Sequence, residues 1–517
     1  MNDSNRHALH TRFLRGLELS PDRPAIRLGE KTVTYAEAHE LALCWAGSLL
    51  AADRPPRVLG VLAGKSVEAY VGVLAGLYAG ATVVPLHPDF PVSRTRHMLD
   101  RAAVTALLAD ERGCAVLPDI FDGEPGLPVL APSATPGPRS IIADPAHALA
   151  VPREVAATDN AYMLFTSGST GRPKGVPITH GSTAHYFGLL DERYDFGPRD
   201  VFSQTFDLNF DCAMFDLFCA WGAGAAICQV PAQAYRDLPG FLVERAVSVW
   251  FSTPSAISLI RRMGGLVPGA MPGLRWSFFA GEALRCSDAE QWQAAAPRSV
   301  VENLYGPTEL TVTVSGHRWD PERSPARGIN GFAPIGRIHA GHEYLLLTED
   351  DGTSEVEGEL CITGPQLTAG YLDPADNAGR FLDRDGRTWY RTGDRVRQLD
   401  DGELVYLGRL DSQVQIQGWR VELAEVEHAL RGCPGVDEAV AVTRQVDGNT
   451  ELAVFYTGEF TAPAEFARRL RQVLPQGMLP RRYEQVAELP LNANRKIDRP
   501  ALAARANAPM VAHQHSA

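Results

Sequence analysis

Between residues 32 and 280, helix-like segments alternate with short apolar and β-branched runs: RVLGVLA after Pro56, TALLAD around Leu107, GAAICQV around Ile227 and SVWFSTP around Trp250. Strands separated by helices pair in parallel, and both faces of the resulting sheet need cover. The pattern therefore predicts an α/β fold of layered sheets and helices. A chain of 517 residues exceeds what a single core fills, so more than one domain is expected.

After Gly331 the texture changes to closely spaced strands and turns, with Asp-Asp-Gly at 350–352 and 400–402 suited to hairpins. This part is read as locally antiparallel, a small β-barrel-like addition to the large domain. Beyond Asp411 comes a compact α+β unit: a strand at QVQIQ, a helix over 423–430, strands at EAVAV and ELAVFY, and a helix around 466–473. The expected division is a large N-terminal core over 1–409, a small mobile C-terminal domain over 410–505, and a disordered tail over 506–517.

Composition excludes several classes. The formal net charge of -13 argues against a general binder of nucleic acid or anionic membranes. Eight scattered cysteines without a Cys-x-x-Cys pair read as buried thiols rather than a metal site. The N-terminus lacks the apolar core of a signal peptide, so cytoplasmic residence is the default expectation. Residues 69–86, AYVGVLAGLYAGATVVPL, are free of charge and long enough to test that reading. They parse better as a buried helix capped by Gly80 and a short strand from Thr82.

Chemistry is concentrated in five stretches. LFTSGSTGRPKG at 164–175 supplies backbone N–H groups, hydroxyls and a cation, the parts of a phosphate cradle. A Gly/Ser/Thr linker has the same composition, and the kinase-type P-loop is excluded because Lys174 lies between Pro173 and Gly175. NLYGPTE at 303–309 offers an aromatic face, a hydroxyl and a carboxylate, suited to stacking a base and holding Mg²⁺. WYRTGD at 389–394 ends on an acid placed to accept sugar hydroxyls. GRLD at 408–411 falls on the domain boundary, and NANRKIDR at 492–499 carries a lysine in a polar loop.

In this order, together with YAGATVVPLHPDFP at 78–91, GELCITGPQLTAGYL at 358–372 and GWRVELAEVE at 418–427, these motifs resemble the adenylate-forming superfamily, specifically the stand-alone adenylation domains of nonribosomal peptide synthesis. The resemblance implies ATP and Mg²⁺ as cofactors and formation of an acyl-adenylate that a thiol then attacks. It places Thr166, Ser167, Gly168, Ser169, Thr170 and Lys174 on the β- and γ-phosphates. Gly281, Glu282, Asn303 and Tyr305 would hold adenine, with Thr308 beside them. Asp394 would hold the ribose hydroxyls, Arg409 would be a second ribose or phosphate contact, and Glu309 with Thr166 would hold the metal. Lys496 would bridge the carboxylate and α-phosphate, and Asp411 would be the hinge.

The segment 206–218, FDLNFDCAMFDLF, resembles the family's substrate motif, with Asp211 pairing an α-amino group. An unpartnered buried carboxylate is costly, so an aspartate there implies a cationic ligand. Asp207 and Asp216 compete for the assignment, a capping role being their ordinary explanation. By motif, Cys212, Phe215, Phe251, Phe278, Ala280, Leu304, Val312 and Thr313 line the rest of the pocket. Three phenylalanines imply a small or medium neutral amino acid; a β-amino acid or aryl acid is the alternative. Only 21 residues follow Lys496, so the expected acceptor is the phosphopantetheine thiol of a separate carrier protein, with coenzyme A as alternative. Neither a membrane nor nucleic acid is an expected partner. Gly477 in LPQGMLP and Gln415 depart from the family's usual residues without touching its chemistry.

Overall fold

The computed structural model describes residues 5–133, 140–168, 172–411, 413–490 and 497–508. They form two compact units, a larger one running to Leu410 and a smaller one from Asp411 that also takes in Pro91–Arg94 and the described part of 167–173.

Two layered sheets dominate the larger unit. One has seven strands in the order Ser140–Ile141, Val129–Leu130, Ala106–Ala109, Val58–Leu62, Thr82–Leu86, Asn160–Thr166, Lys174–Thr179; all its pairings are parallel except the last. The other has nine strands, and its centre, Ala226–Gln229, Val201–Gln204, Val249–Ser252, Trp276–Phe279 and Val300–Tyr305, is parallel throughout. The four apolar runs singled out in the sequence all become interior strands of these sheets.

The uncharged stretch 69–86 divides as its sequence pattern implies. Helix Val67–Tyr78 is buried on every side, Gly80 turns the chain at φ +70°, and Thr82–Leu86 continues as a strand. An all-round apolar helix is a core helix when sheets cover it. Among the described residues no helix is long and apolar enough to cross a membrane.

In the nine-stranded sheet the change to antiparallel pairing after its parallel centre comes before Gly331, where Val300–Tyr305 meets Ser315–Arg318. Beyond it lies a curled six-stranded antiparallel sheet, in which the twelve-residue strand Arg387–Gln398 pairs with Glu357–Thr363, Phe381–Arg384 and Leu404–Arg409. Both expected hairpins are there: Leu347 faces Thr353 across the first, and Gln398 faces Leu404 across the second.

The smaller unit holds strands Gln413–Ile416, Val436–Val446 and Asn449–Gly458 and helix Leu423–Arg431, close to the sequence reading. Two placements differ. The helix expected around 466–473 is Pro463–Leu470, because Pro463 suits a helix's first turn and Phe466 and Leu470, four apart, bury one face. Residues 506 and 507, assigned to the tail by the sequence reading, are helical. Helix Arg499–Asn507 is capped by the Asp498 carboxylate and buries Leu502 and Ala506, again four apart.

Candidate active site

In parallel sheets, ligands bind beyond the carboxyl ends of the strands. Four such ends of the nine-stranded sheet carry the motif residues. Strand Val201–Gln204 leads to Asp211, Val249–Ser252 carries Phe251, Trp276–Phe279 leads to Ala280, Gly281 and Glu282, and Val300–Tyr305 leads to Thr308 and Glu309. Thr166 ends a strand of the other sheet and faces Lys174 across the ladder.

Register decides which aromatic side chains come together near Asp211. Phe251 pairs with Phe278 on neighbouring strands, so both side chains leave the same face. They meet Phe215 of helix Cys212–Gly222, with ring centroids 4.9 Å and 5.2 Å from it. Phe206 closes on Phe251 at 4.9 Å. A slip of one residue would instead select Phe279, which leaves the opposite face and packs on Trp292. Cys212, Ala280, Leu304 and Val312 join the same buried cluster, and the Thr313 hydroxyl is bonded to that of Tyr186 at 3.0 Å.

Asp211 stands at the entry to helix Cys212–Gly222 but makes no side-chain capping bond. Desolvation pushes its carboxyl up to about 6, although hydrogen bonds from the Thr308 side chain and the Cys212 N–H favour the charged form; the nearby Glu309 carboxylate adds repulsion. The competing aspartates are placed otherwise. Asp207 lies 3.8 Å from Lys65. Asp216 is inside the helix and fully buried, so it is no cap; burial raises its carboxyl well above the usual range, with Lys65 opposing.

Tyr305, Asp394 and Arg409 form one bonded group. Tyr305 donates to Asp394 Oδ2 at 2.6 Å, and Arg409 donates to Asp394 Oδ1 at 2.8 Å and to the Thr392 carbonyl at 2.9 Å. Cross-strand pairing of Asp394 with Arg409 brings these two motifs together. Asn303 donates to the Pro334 carbonyl at 2.8 Å, and Glu282 accepts from the Ser255 N–H at 2.8 Å. Gly281 turns the chain at φ +84°.

Glu309 is fully buried and accepts at 2.6 Å from the hydroxyl of Tyr371. Immediately after it, Thr311 and Val312 both adopt left-handed backbone, at φ 56° and 68°, which is costly for β-branched residues. Gln366 holds this turn: its side-chain N–H groups donate to the carbonyls of Leu310, Thr311 and Thr313, and its backbone carbonyl accepts from Thr311 Oγ1. Gln366 and Tyr371 lie within the quoted 358–372 stretch, but nothing in their residue types marks them as supports of Glu309.

Lys174 does not project into open solvent. It is buried, 3.5 Å from Asp376 and 5.2 Å from the centre of the Tyr371 ring. Ser167, Gly168 and Asp411 fall in the smaller unit, where Asp411 accepts from the Gln413 N–H. Ser169, Thr170 and Lys496 lie outside the described residues.

A layered parallel fold that gathers acidic and aromatic groups beyond its strand ends has the arrangement in which nucleotide-dependent enzymes bind their ligands. The family model of the AMP-binding enzymes matches residues 13–372, and the chain belongs to that family. A curated relative from Pseudomonas fluorescens, an L-proline--[L-prolyl-carrier protein] ligase, is 33% identical over 96% of this chain and 98% of its own. Among solved structures, IdnL7 is 55% identical over 97% of this chain and 99% of its own, with a TM-score of 0.76. The Vibrio cholerae adenylation domain AlmE, solved with glycyl-adenosine-5'-phosphate, is 27% identical over 98% of each chain, with a TM-score of 0.85. The chain spans 45%, 19% and 42% of the length of three longer curated relatives that it also matches.

Proposed function

We propose that this protein activates a small neutral amino acid with ATP, giving aminoacyl-AMP and pyrophosphate, and passes the aminoacyl group to the phosphopantetheine thiol of a carrier protein. The amino acid's carboxylate oxygen attacks the α-phosphorus, and pyrophosphate leaves with the electrons of the broken P–O bond. The thiolate then attacks the acyl carbon and AMP departs.

The observation that carries this reading is the Asp211 carboxyl beside a pocket filled by Phe215, Phe251 and Phe278. Ammonium at Asp211 would supply a countercharge that no salt bridge gives it among the described residues, and packed rings leave room for little side chain. The names of two similar proteins, a proline ligase and a domain bound to glycyl-adenylate, support small substrates and a carrier-protein acceptor. Tyr305, Asn303 and Gly281 would hold adenine; Asp394, oriented by Arg409 and Tyr305, would accept the ribose hydroxyls.

Mg²⁺ prefers one or two carboxylates plus phosphate oxygens. The buried Glu309 carboxylate and the Thr166 hydroxyl fit that donor set, and the ion would offset the charge of the β- and γ-phosphates. Lys496 would do the same at the α-phosphate.

The direct test is amino-acid-dependent exchange of labelled pyrophosphate into ATP, across the twenty amino acids, β-alanine and benzoate. Stimulation by a small neutral amino acid is expected; stimulation by benzoate alone would reject the amino-acid reading. The pH profile carries a further expectation. Asp211 must be ionised to pair an ammonium, and its carboxyl titrates near 6. Accordingly kcat/KM for the amino acid should fall about tenfold per pH unit below 6, and KM for ATP should not follow it. A profile flat from pH 5 to 8 would remove Asp211 from substrate recognition.

A further inference from the structure

The exit of the phosphate loop is tied to Glu309 through one short segment, and every tie lies within the larger unit. The Leu372 N–H donates to the Gly175 carbonyl at 3.0 Å, and the Thr368 hydroxyl donates to the Pro177 carbonyl at 2.7 Å. Thr368 also sends its backbone N–H to the Glu309 carbonyl at 2.9 Å. Gly175 permits the approach, since a Cβ there would lie 2.4 Å from Leu372 Cδ1.

Between these backbone ties sits Tyr371, whose hydroxyl reaches Glu309 at 2.6 Å and lies 3.4 Å from that of Tyr390. The Lys174 ammonium is over the Tyr371 ring and near Asp376, a geometry in which the ring quadrupole and the carboxylate both attract it. A lysine held this way has its charge directed into the fold.

We infer that Lys174 and Tyr371 are positioning residues for the Glu309 carboxylate: the last cation of the loop motif acts on the metal-binding acid through the tyrosine, not on the phosphates directly. This rests on the ATP and Mg²⁺ reading above. With the Lys174 ammonium over its ring and its hydroxyl bonded at the far end, Tyr371 fixes the point at which that hydroxyl meets Glu309 Oε1. The carboxylate is thereby aimed before any ion arrives. Partners of a metal-binding carboxylate are worth about 10- to 100-fold in metal affinity when removed.

The test uses the full-length chain and its Tyr371→Phe, Lys174→Met and Lys174→Arg variants. ATP binding is titrated calorimetrically without divalent ion, and Mn²⁺ binding to the ATP complex is followed by the loss of the free-ion electron paramagnetic resonance signal. Tyr371→Phe should weaken Mn²⁺ binding about 10-fold or more and leave metal-free ATP affinity within about twofold. Lys174→Met should shift Mn²⁺ binding in the same direction, Lys174→Arg should restore most of it, and the Met/Phe double variant should be little worse than Tyr371→Phe alone. Asp376→Asn, at the partly exposed end of the anchor, should give a smaller shift of the same sign and serves where Lys174→Met fails to fold.

Weaker metal-free ATP binding in Lys174→Met, with unchanged Mn²⁺ affinity, would overturn the inference in favour of direct phosphate contact. Unchanged Mn²⁺ affinity in Tyr371→Phe would overturn it as well. Failure of the wild-type chain to bind ATP would instead sink the underlying functional reading.

Discussion

Replacing Lys496 with alanine is expected to slow amino-acid-dependent pyrophosphate exchange by about 10²–10³-fold, the usual cost of losing one preorganised contact to charge that develops in the transition state. A carboxylate approaching a triphosphate meets like charge, and negative charge builds at the α-phosphate during transfer. An ammonium placed between them offsets both. Transfer of the acyl group from a preformed aminoacyl-adenylate to a thiol involves neither, so that half-reaction should survive within a few-fold. Single-turnover assays of the two half-reactions check this, and equal losses would refute the assigned role.

The second large effect is at Asp211. Truncation to alanine is expected to raise KM for the amino acid by about 10²–10³-fold, since removing one partner of a buried ion pair typically costs about 3–5 kcal/mol. ATP affinity should be unchanged. Stability should hold or rise, because the variant loses a desolvated carboxyl that its neighbour Glu309 repels. Thermal melting and ATP titration separate these outcomes; a variant that keeps its amino-acid KM would show that another group binds the ammonium.

Much of the fold was legible because buried parallel strands announce themselves locally. VLGVL, ALLA, AICQ and VWFS are short apolar runs with helical segments between them, and each became an interior strand. Boundaries were less legible where tertiary packing sets them. Ala506 is small and looked like tail, yet it faces Val440 and Leu502 in a buried cluster.

In the site, residue types that carry chemistry were easy to nominate: Tyr305, Asp394 and Arg409 do meet, although their separation of up to 104 positions hides it. Supporting groups were not. Gln366 satisfies three carbonyls of a strained turn 53 to 56 positions away, and Tyr371 reaches Glu309 across 62. Such roles follow from where backbone carbonyls end up, which no local pattern encodes. Lys174, assigned to the β- and γ-phosphates from its motif, is buried at the start of the strand that pairs with Thr166, a placement its loop-like neighbours do not announce.

The three phenylalanines beside Asp211 are not a detachable lining. Phe215, Phe251 and Phe278 belong to the same buried cluster as Phe202, Phe218 and Trp221, and Phe251 and Phe278 are carried on interior strands. If these rings line the substrate pocket as proposed, choice of substrate is drawn from the same reservoir of packing that keeps the fold together. Lineages that replace these rings with smaller residues must recover the lost cohesion elsewhere, so a shift toward bulkier amino acids is expected to arrive with compensating changes in distant parts of the sheet, not as an isolated swap.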